Sequence, residues 1–306
     1  MSKRRPVYVE AAIQTDVNTL WEYTQNPHKH ERWDLRFSQI TYLPKEEETK
    51  PQRFLYRTHI GFGLSIIGEG ESIGSHTNEA GERTSSLRFW TGHPLSLIRE
   101  GSGYWKYSPH ESGVRFVTQY DYRTRFGWCG RWLDAVAFRP LIGWATAWSF
   151  DCLRLWLEKG IAPEISFSRS AVQWISIWTL ALVWIYQGLV PKVIYRDAGE
   201  LALLHGLGIS PDSVGPIVLI GAGILEIVFG ISTLLFWRQR VWFLLTIILL
   251  LGLGTGAFLG DAAVFTAPFN PVSLNVLMMS LSLIALINRH HLPDAKRCIR
   301  ERKRVG

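Results

Sequence analysis

The chain is poor in cysteine, with three residues, Cys129, Cys152 and Cys298. The count is odd and no two are spaced as C-x-x-C, which argues against a disulfide framework or a structural zinc site and fits a reducing compartment. Acidic residues are scarce in the second half: after position 170 there are 7 Asp+Glu against 11 Lys+Arg, whereas the first 170 residues hold 19 against 22. The net charge of +7 is therefore spread over both halves and marks no nucleic-acid face. The basic N-terminal residues are followed by no apolar stretch, so no cleavable signal peptide is expected and the first domain should stay on the side where it is made. Cofactor and nucleophile motifs are missing too. Gly61-Phe-Gly63 lacks the rest of a dinucleotide fingerprint. Gly70-Glu-Ser-Ile-Gly74 spells G-x-S-x-G, but it lies within a strand pattern and not at a strand-to-helix turn. His28, His30 and Glu31 do not share one helix face as the ligands of H-E-x-x-H do. Neither a metal nor a cofactor is expected.

What the chain does have is four long apolar runs, about 172–190, 215–236, 241–259 and 271–287. Each approaches the ~17–25 residues that a helix needs to cross a hydrocarbon layer. The apolar stretch from Ala135 to Phe150 is short and interrupted by Arg139 and Pro140, and is not read as a fifth span. Trp237-Arg238-Gln239-Arg240, between the second and third runs, is positive. The loop 191–214 sets Lys192 and Arg196 against Asp197, Glu200 and Asp212, and the loop 260–270 carries only Asp261. Arg289, Lys296, Arg297, Arg300, Arg302, Lys303 and Arg304 follow the last run. Cytoplasmic loops carry the Lys/Arg excess, so both termini are expected in the cytoplasm of a plasma-membrane (inner-membrane) protein, with 191–214 and 260–270 outside. The basic tail is expected to touch anionic lipid. Trp174, Trp178, Tyr186, Trp237 and Trp242 stand toward span ends, where amphipathic rings prefer the headgroup layer.

The first part alternates with period two. Strands are predicted at Val7–Ile13, Phe37–Leu43, Arg53–Ile60, Ile66–Ser75, Arg83–Trp90, Leu97–Tyr107 and Val114–Thr124. Short helices are predicted over 16–24, with Asp16 as N-cap, and over Pro27–Trp33. Leu141, Trp144, Ala145, Trp148, Cys152, Leu155 and Trp156 form one stripe of a longer helix, which Pro140 should keep from running unbroken from Arg131.

The order strand, two short helices, six strands and long helix, together with His30-Glu-Arg-Trp-Asp34, resembles the START-like superfamily (SRPBCC, polyketide cyclase/dehydrase-type). The resemblance covers about 1–160 and implies an α+β helix-grip fold, a curved antiparallel sheet around a long C-terminal helix. It also implies a cavity for hydrophobic ligands, with Phe54, Tyr56, Phe116, Tyr120, Trp144 and Trp148 as pocket candidates; the competing reading makes them ordinary aromatic core. Glu69 and Glu71, at i and i+2 on one strand face, are candidates for acid–base work if that face points inward, and form a solvated face if it points outward.

In the second half Glu226 is the one acidic residue deep in a span, an expensive position that asks for a partner. Gln187, Lys192 and Asn275 are the candidates. Trp184-Ile-Tyr-Gln-Gly-Leu-Val-Pro-Lys192, Leu225-Glu-Ile-Val-Phe-Gly230 and Thr266-Ala-Pro-Phe-Asn-Pro-Val272 resemble the DoxX-like membrane family over about 170–287. That resemblance implies an all-α four-helix transmembrane bundle, in some members tied to membrane redox enzymes. Cysteine is absent from the spans, so thiol redox within the bundle is not expected.

The sequence thus reads as a cytosolic START-like ligand-binding domain over 1–165, a DoxX-like four-span membrane domain over 170–288 and a basic cytoplasmic tail over 289–306. The expected function is binding of a lipophilic small molecule (lipid, quinone or polyketide-like) by the first domain, which the bundle anchors to the membrane, with exchange into the bilayer near Glu226. The alternatives are a cyclase or dehydratase acting on a hydrophobic substrate, and an accessory subunit of a membrane redox complex. Catalysis is not the leading expectation.

Overall fold

The computed structural model describes residues 5–45, 47, 50–61, 63–210, 214–268 and 270–302. Asp212, Lys303 and Arg304, and the middle residues of two sequence stretches singled out above, Phe62 and Phe269, lie outside the described residues. The chain divides into two compact units, 1–167 with 291–306, and 168–290.

In the first unit seven antiparallel strands form one sheet in the order β1-β7-β6-β5-β4-β3-β2. They are β1 (Val7–Ile13), β2 (Gln39–Tyr42), β3 (Gln52–Gly61), β4 (Leu64–Thr77), β5 (Arg83–Trp90), β6 (Ile98–His110) and β7 (Gly113–Thr124). From β2 to β7 each strand pairs with the next, and β1 returns to the last, Val7 opposite Tyr120 and Ile13 opposite Val114. Helices α1 (Val17–Gln25) and α2 (Pro27–Trp33) carry the chain from one sheet edge to the other. Asp16 caps α1 by accepting the N–H groups of Asn18 and Thr19, and Asn26 caps α2, which has Pro27 in its first turn.

The helix α4 (Arg139–Lys159) packs on β1 and α2, and it buries Ala147, Trp148, Phe150, Cys152 and Leu153 in a core with Trp33, Trp105, Tyr107 and Phe116. This is the helix-grip arrangement. One expectation needs correction. The helix does continue through Pro140: α3 (Gly127–Leu133) passes into α4 by a π-helical turn, Asp134–Phe138. Proline clashes with the carbonyl four residues back in a regular helix, and a wider π turn just ahead of it relieves that clash.

The C-terminal segment also differs from a free basic tail. The edge strand β1 would expose unpaired backbone groups, a liability that proteins cover. Here Glu10 and Ile299 exchange both backbone hydrogen bonds at 2.9 Å. Ala295 and Cys298 join the core, and the Cys298 thiol donates to the Ala147 carbonyl at 3.3 Å. Lys296, Arg297, Arg300 and Arg302 stay exposed.

Among the described residues, the second unit holds four helices long and apolar enough to cross a membrane. They are α5 (Pro163–Gln187, continued by a π-helical stretch Gly188–Ile194), α7 (Gly215–Leu235), α8 (Arg240–Gly260) and α9 (Pro271–Asn288). The first turns of α5 belong to the first unit. A shorter helix, α6 (Ala198–Gly206), lies between the first and second spans. Ile177, Leu180, Trp184, Phe243, Leu250, Met278 and Ala285 form the bundle core, whereas most of the remaining apolar side chains point outward, as lipid-facing surfaces do.

A charged cluster in the wall of a bundle cavity

The site begins with two glycines. A Cβ on Gly188 would stand 2.3 Å from the Gly223 carbonyl oxygen, and one on Gly223 would stand 2.6 Å from that of Gly188. Only bare backbones can approach so closely, as small residues allow between membrane helices. One turn further on each helix, Lys192 and Glu226 meet, with Nζ 3.1 Å from Oε2. Both are nearly buried, at 9% and 8% exposure. Pro191 lies inside the π-helical stretch that presents Lys192, and π segments recur at functional sites.

A third charge completes the cluster. Asp197 caps α6 by accepting from the N–H groups of Gly199 and Glu200, and Glu200 Oε1 stands 3.3 Å from Lys192 Nζ. One ammonium is thus held between two carboxylates in a largely apolar bundle. Breaking a buried pair on one side is costly because the remaining charge is left uncompensated.

These residues line a cavity of about 640 Å³ to which α5, α6, α7, α8 and α9 all contribute, a size typical of small-molecule sites. Leu203, Leu207, Leu219, Leu250, Leu253 and Met278 give it apolar walls, and Gln187, Lys192, Glu200, Glu226, Asn270 and Asn275 supply polar groups. Trp184 also lines it, and its buried indole N–H has no hydrogen-bond partner among the described residues. The four polar residues singled out in the spans therefore all line this cavity. Of the three possible partners of Glu226, Lys192 makes the contact; Asn275 donates to the Leu250 carbonyl at 3.1 Å instead. Glu200 was missed, because in sequence it reads as a loop residue outside the spans. Its only signal was the Asp197 cap.

The first unit places its candidates differently. Phe116 is fully buried, stacked on Phe150 at 4.4 Å and Tyr107 at 5.0 Å. Trp148 packs on Phe167 at 5.1 Å. Phe54 is half-buried beside Tyr42, and Trp144 is 39% exposed. Tyr56 and Tyr120 come nearest to a shared neighbourhood, around Phe37 and Arg36. The six do not converge on one space.

At that neighbourhood lies a buried ion pair that the reading of His30-Glu-Arg-Trp-Asp34 did not foresee. Arg36 holds Asp34 in a fork, Nη2 to Oδ2 at 2.6 Å and Nε to Oδ1 at 2.9 Å. His30 Nε2 adds a contact to Oδ2 at 3.0 Å. Burial alone would push the Asp34 carboxyl up, but the Arg36 guanidinium outweighs it and holds the group well below the usual carboxylate range. Burial pushes the Tyr120 hydroxyl up, and pushes that of Tyr56 up to about 12.

Glu69 and Glu71 lie on the strand face opposite the buried Gly68 and Gly70. Glu69 pairs with Arg53 at 2.6 Å and Glu71 with Arg88 at 3.5 Å, on neighbouring strands and with all four side chains partly open to solvent. Acid–base work inside a cavity has no footing in that geometry. His28 is exposed and 3.7 Å from Glu31, while His30 turns inward to Asp34. Burial pushes the thiols of Cys152 and Cys298 up to about 12, which keeps them unreactive near neutral pH.

Fold and site together define a class: a helix-grip domain continuous with a four-span bundle that carries a buried lysine–carboxylate cluster. The DoxX-like family profile matches residues 181–283. The membrane protein YndG of Bacillus subtilis (strain 168) is 50% identical over 205 residues, 66% of this chain and 76% of that protein. The chain therefore belongs to the family of the membrane protein YndG, and its own C-terminal half carries a DoxX-like module. Among solved structures, the STAR-related lipid transfer protein from Xanthomonas axonopodis is 13% identical, with 49% of this chain and 84% of that one covered and a TM-score of 0.37. The protein TTHA0849 from Thermus thermophilus is 14% identical, with 45% and 86% covered and a TM-score of 0.34.

Proposed function

We propose that the protein binds a lipophilic small molecule (a lipid, quinone or polyketide-like compound) in the membrane bundle and exchanges it with the bilayer. One observation carries this: a cavity of about 640 Å³ with apolar walls, lined also by the Lys192–Glu226–Glu200 charge cluster and by three amide side chains. That combination suits a molecule with a hydrocarbon body and a small hydrogen-bonding head. The head meets Lys192 and Gln187 as donors, and Glu226 and Glu200 as acceptors. The proposed site is thus in the bundle, and not in the helix-grip interior, where ring-on-ring contacts among Trp105, Tyr107, Phe116 and Phe150 occupy the core. A bundle site draws on the high local concentration of a lipophile in the bilayer.

The proposed topology keeps both termini in the cytoplasm. Residues 5–167 and 291–302 belong to one compact unit, so the chain must leave and return on one side, as an even number of crossings does. The Lys/Arg excess of the 237–240 loop and of the tail favours the cytoplasmic side, and the exposed Lys296, Arg297, Arg300 and Arg302 suit anionic lipid.

The test is mass spectrometry of lipophiles carried by the full chain extracted in mild detergent. The wild type is compared with Ala222→Trp and Leu253→Trp, which fill the cavity. One lipophile per chain in the wild type and loss in both variants, at unchanged helix content, is the expected result. An empty wild type, or occupancy indifferent to cavity filling, rejects the proposal.

A further inference from the structure

The first unit carries a surface that neither its core nor the bundle cavity explains. Phe126, Trp128, Trp132, Leu133 and Val136 are 59%, 72%, 61%, 47% and 62% exposed. Trp128, Trp132 and Val136 recur every four residues along α3 and the π turn, so they share one face. Leu95, at 58% exposure, belongs to the adjoining 91–97 loop, which Arg125 ties down through the Thr91 and Gly92 carbonyls. Single exposed apolar residues need no explanation, whereas a contiguous run with two tryptophans does.

The face is held outward by construction. Phe126 adopts a left-handed conformation with φ 60° and Gly127 follows at φ 53°. That pair turns the chain from β7 into α3, and it is a strained geometry for phenylalanine. Gly130 then passes so close to the end of β7 that a Cβ would lie 1.8 Å from the Arg125 carbonyl oxygen. On the inner side Asp134 is fully buried, accepting from the Tyr122 hydroxyl at 2.6 Å and from Arg139 at 3.0 Å. With that side anchored, Trp128 and Trp132 cannot turn inward.

Charge identifies the occupant. From Tyr122 to Ser149 the chain has one acidic residue, the buried Asp134, against Arg123, Arg125, Arg131 and Arg139. Arg123 and Arg139 are paired with the carboxylates of Glu100 and Asp121, so the exposed face is apolar and aromatic, with Arg125 and Arg131 as the basic residues beside it and no acidic residue within it. Such a surface suits the boundary between headgroups and acyl chains of an anionic bilayer. The unit is also tethered there twice, since the chain enters the first span from it at Ser168 and rejoins it at His291 after the last. We infer that the α3 face formed by Phe126, Trp128, Trp132, Leu133 and Val136 inserts into the interface of the anionic membrane that the bundle spans, as a monotopic contact additional to the four crossings.

The test uses the full chain, with Cys129 replaced by serine, in nanodiscs of phosphatidylcholine and phosphatidylglycerol. Spin labels are placed singly at Trp128→Cys, Trp132→Cys and Val136→Cys, and at Glu79→Cys and Ser112→Cys as solvent controls. Collisional access to oxygen and to a water-soluble nickel chelate is then measured. Labels on α3 should be several-fold more accessible to oxygen than to nickel, with the controls reversed. Nickel-accessible labels on α3 would show a hydrated face. Labels shielded from both reagents would show that protein, a second copy or the chain's own spans, covers the face. Either result overturns the inference. The positions are largely exposed, so loss of folding is not expected, and unchanged circular dichroism verifies it.

Discussion

The backbone N–H of Asp294 donates to the carboxylate of Asp151 at 2.8 Å, joining residues 143 apart in the chain. Asp151 is 1% exposed and also accepts from Arg154 at 2.7 Å. Burial pushes its carboxyl up, against the pull of Arg154 and Arg297. This buried group is the anchor through which the segment after the last span closes the helix-grip unit.

Deleting residues 291–306 should therefore unfold or loosen the first unit. The cut uncovers the β1 edge at Glu10, opens the core around Ala147 and leaves Asp151 short of a donor. Limited proteolysis of the membrane-inserted protein should cleave within 1–160 far faster than in the wild type. The fragment 1–165 alone should behave likewise. A protease-resistant fragment would show that the C-terminal segment is dispensable. Asp151→Ala isolates the anchor and should cost about 3–5 kcal/mol, as removal of one partner from a buried ionic contact does.

The Lys192–Glu226 pair yields to a double-mutant cycle. Lys192→Met alone leaves Glu226 and Glu200 facing an apolar cavity and should cost about 3–5 kcal/mol. Lys192→Met combined with Glu226→Gln should recover a substantial part, because a neutral amide tolerates the site better than an unpaired carboxylate. Unfolding midpoints in detergent report both. Additive losses would show that the two side chains are not energetically coupled.

Much of this was legible in the sequence because it is local. The apolar runs gave the spans to within a residue or two for α7, α8 and α9, and β1, α2 and β5 begin and end where alternation and Pro27 predicted. What stayed hidden depends on distant contacts or on subtle backbone geometry. Ala295 and Cys298 sit among basic residues and read as a free tail, since nothing nearby marks Ala147 as the neighbour. The π turn before Pro140 reads as a break, because periodicity detects the proline but not the wider turn that accommodates it. Glu226 drew attention as a lone acid in a span, whereas Glu200 became part of the site only through the helix cap at Asp197. The aromatic stripe of the helix-grip domain was read as a pocket and as core in competition, and only ring geometry assigns Phe116 to the core.

Topology is checked by cysteine accessibility in intact cells on a Cys129→Ser background. Glu79→Cys and Arg300→Cys should react only with a membrane-permeant maleimide, and Ser210→Cys also with an impermeant one. The first two share one compact unit and must agree whichever way the protein inserts. Disagreement between them would contradict the fold itself, while agreement on the outer face would invert the proposed orientation.

Acid should destabilise the first unit through Asp34. Its folded carboxyl is held well below the ordinary value of 3.8 by Arg36. As pH falls toward and below that value, the unfolded chain takes up a proton that the folded chain refuses. Stability fully present above this range is then lost, by up to about 1.4 kcal/mol per pH unit for one group. Glu82 acts in the same direction. Hydrogen bonds from Ser108 and Lys106 lower its carboxyl from 4.5 to about 2, although solvent screens this exposed group and its share is small. Asp151 has the opposite sign, because its raised carboxyl favours the folded state as pH falls. Thermal midpoints of the first-unit transition between neutral pH and pH about 3 should decline in the wild type. Asp34→Asn should be less stable at neutral pH, because Arg36 loses its partner, yet decline less steeply on acidification. Glu82→Gln should change the neutral value little. A variant slope equal to that of the wild type would mean that the Asp34–Arg36 fork is not what the acid titrates.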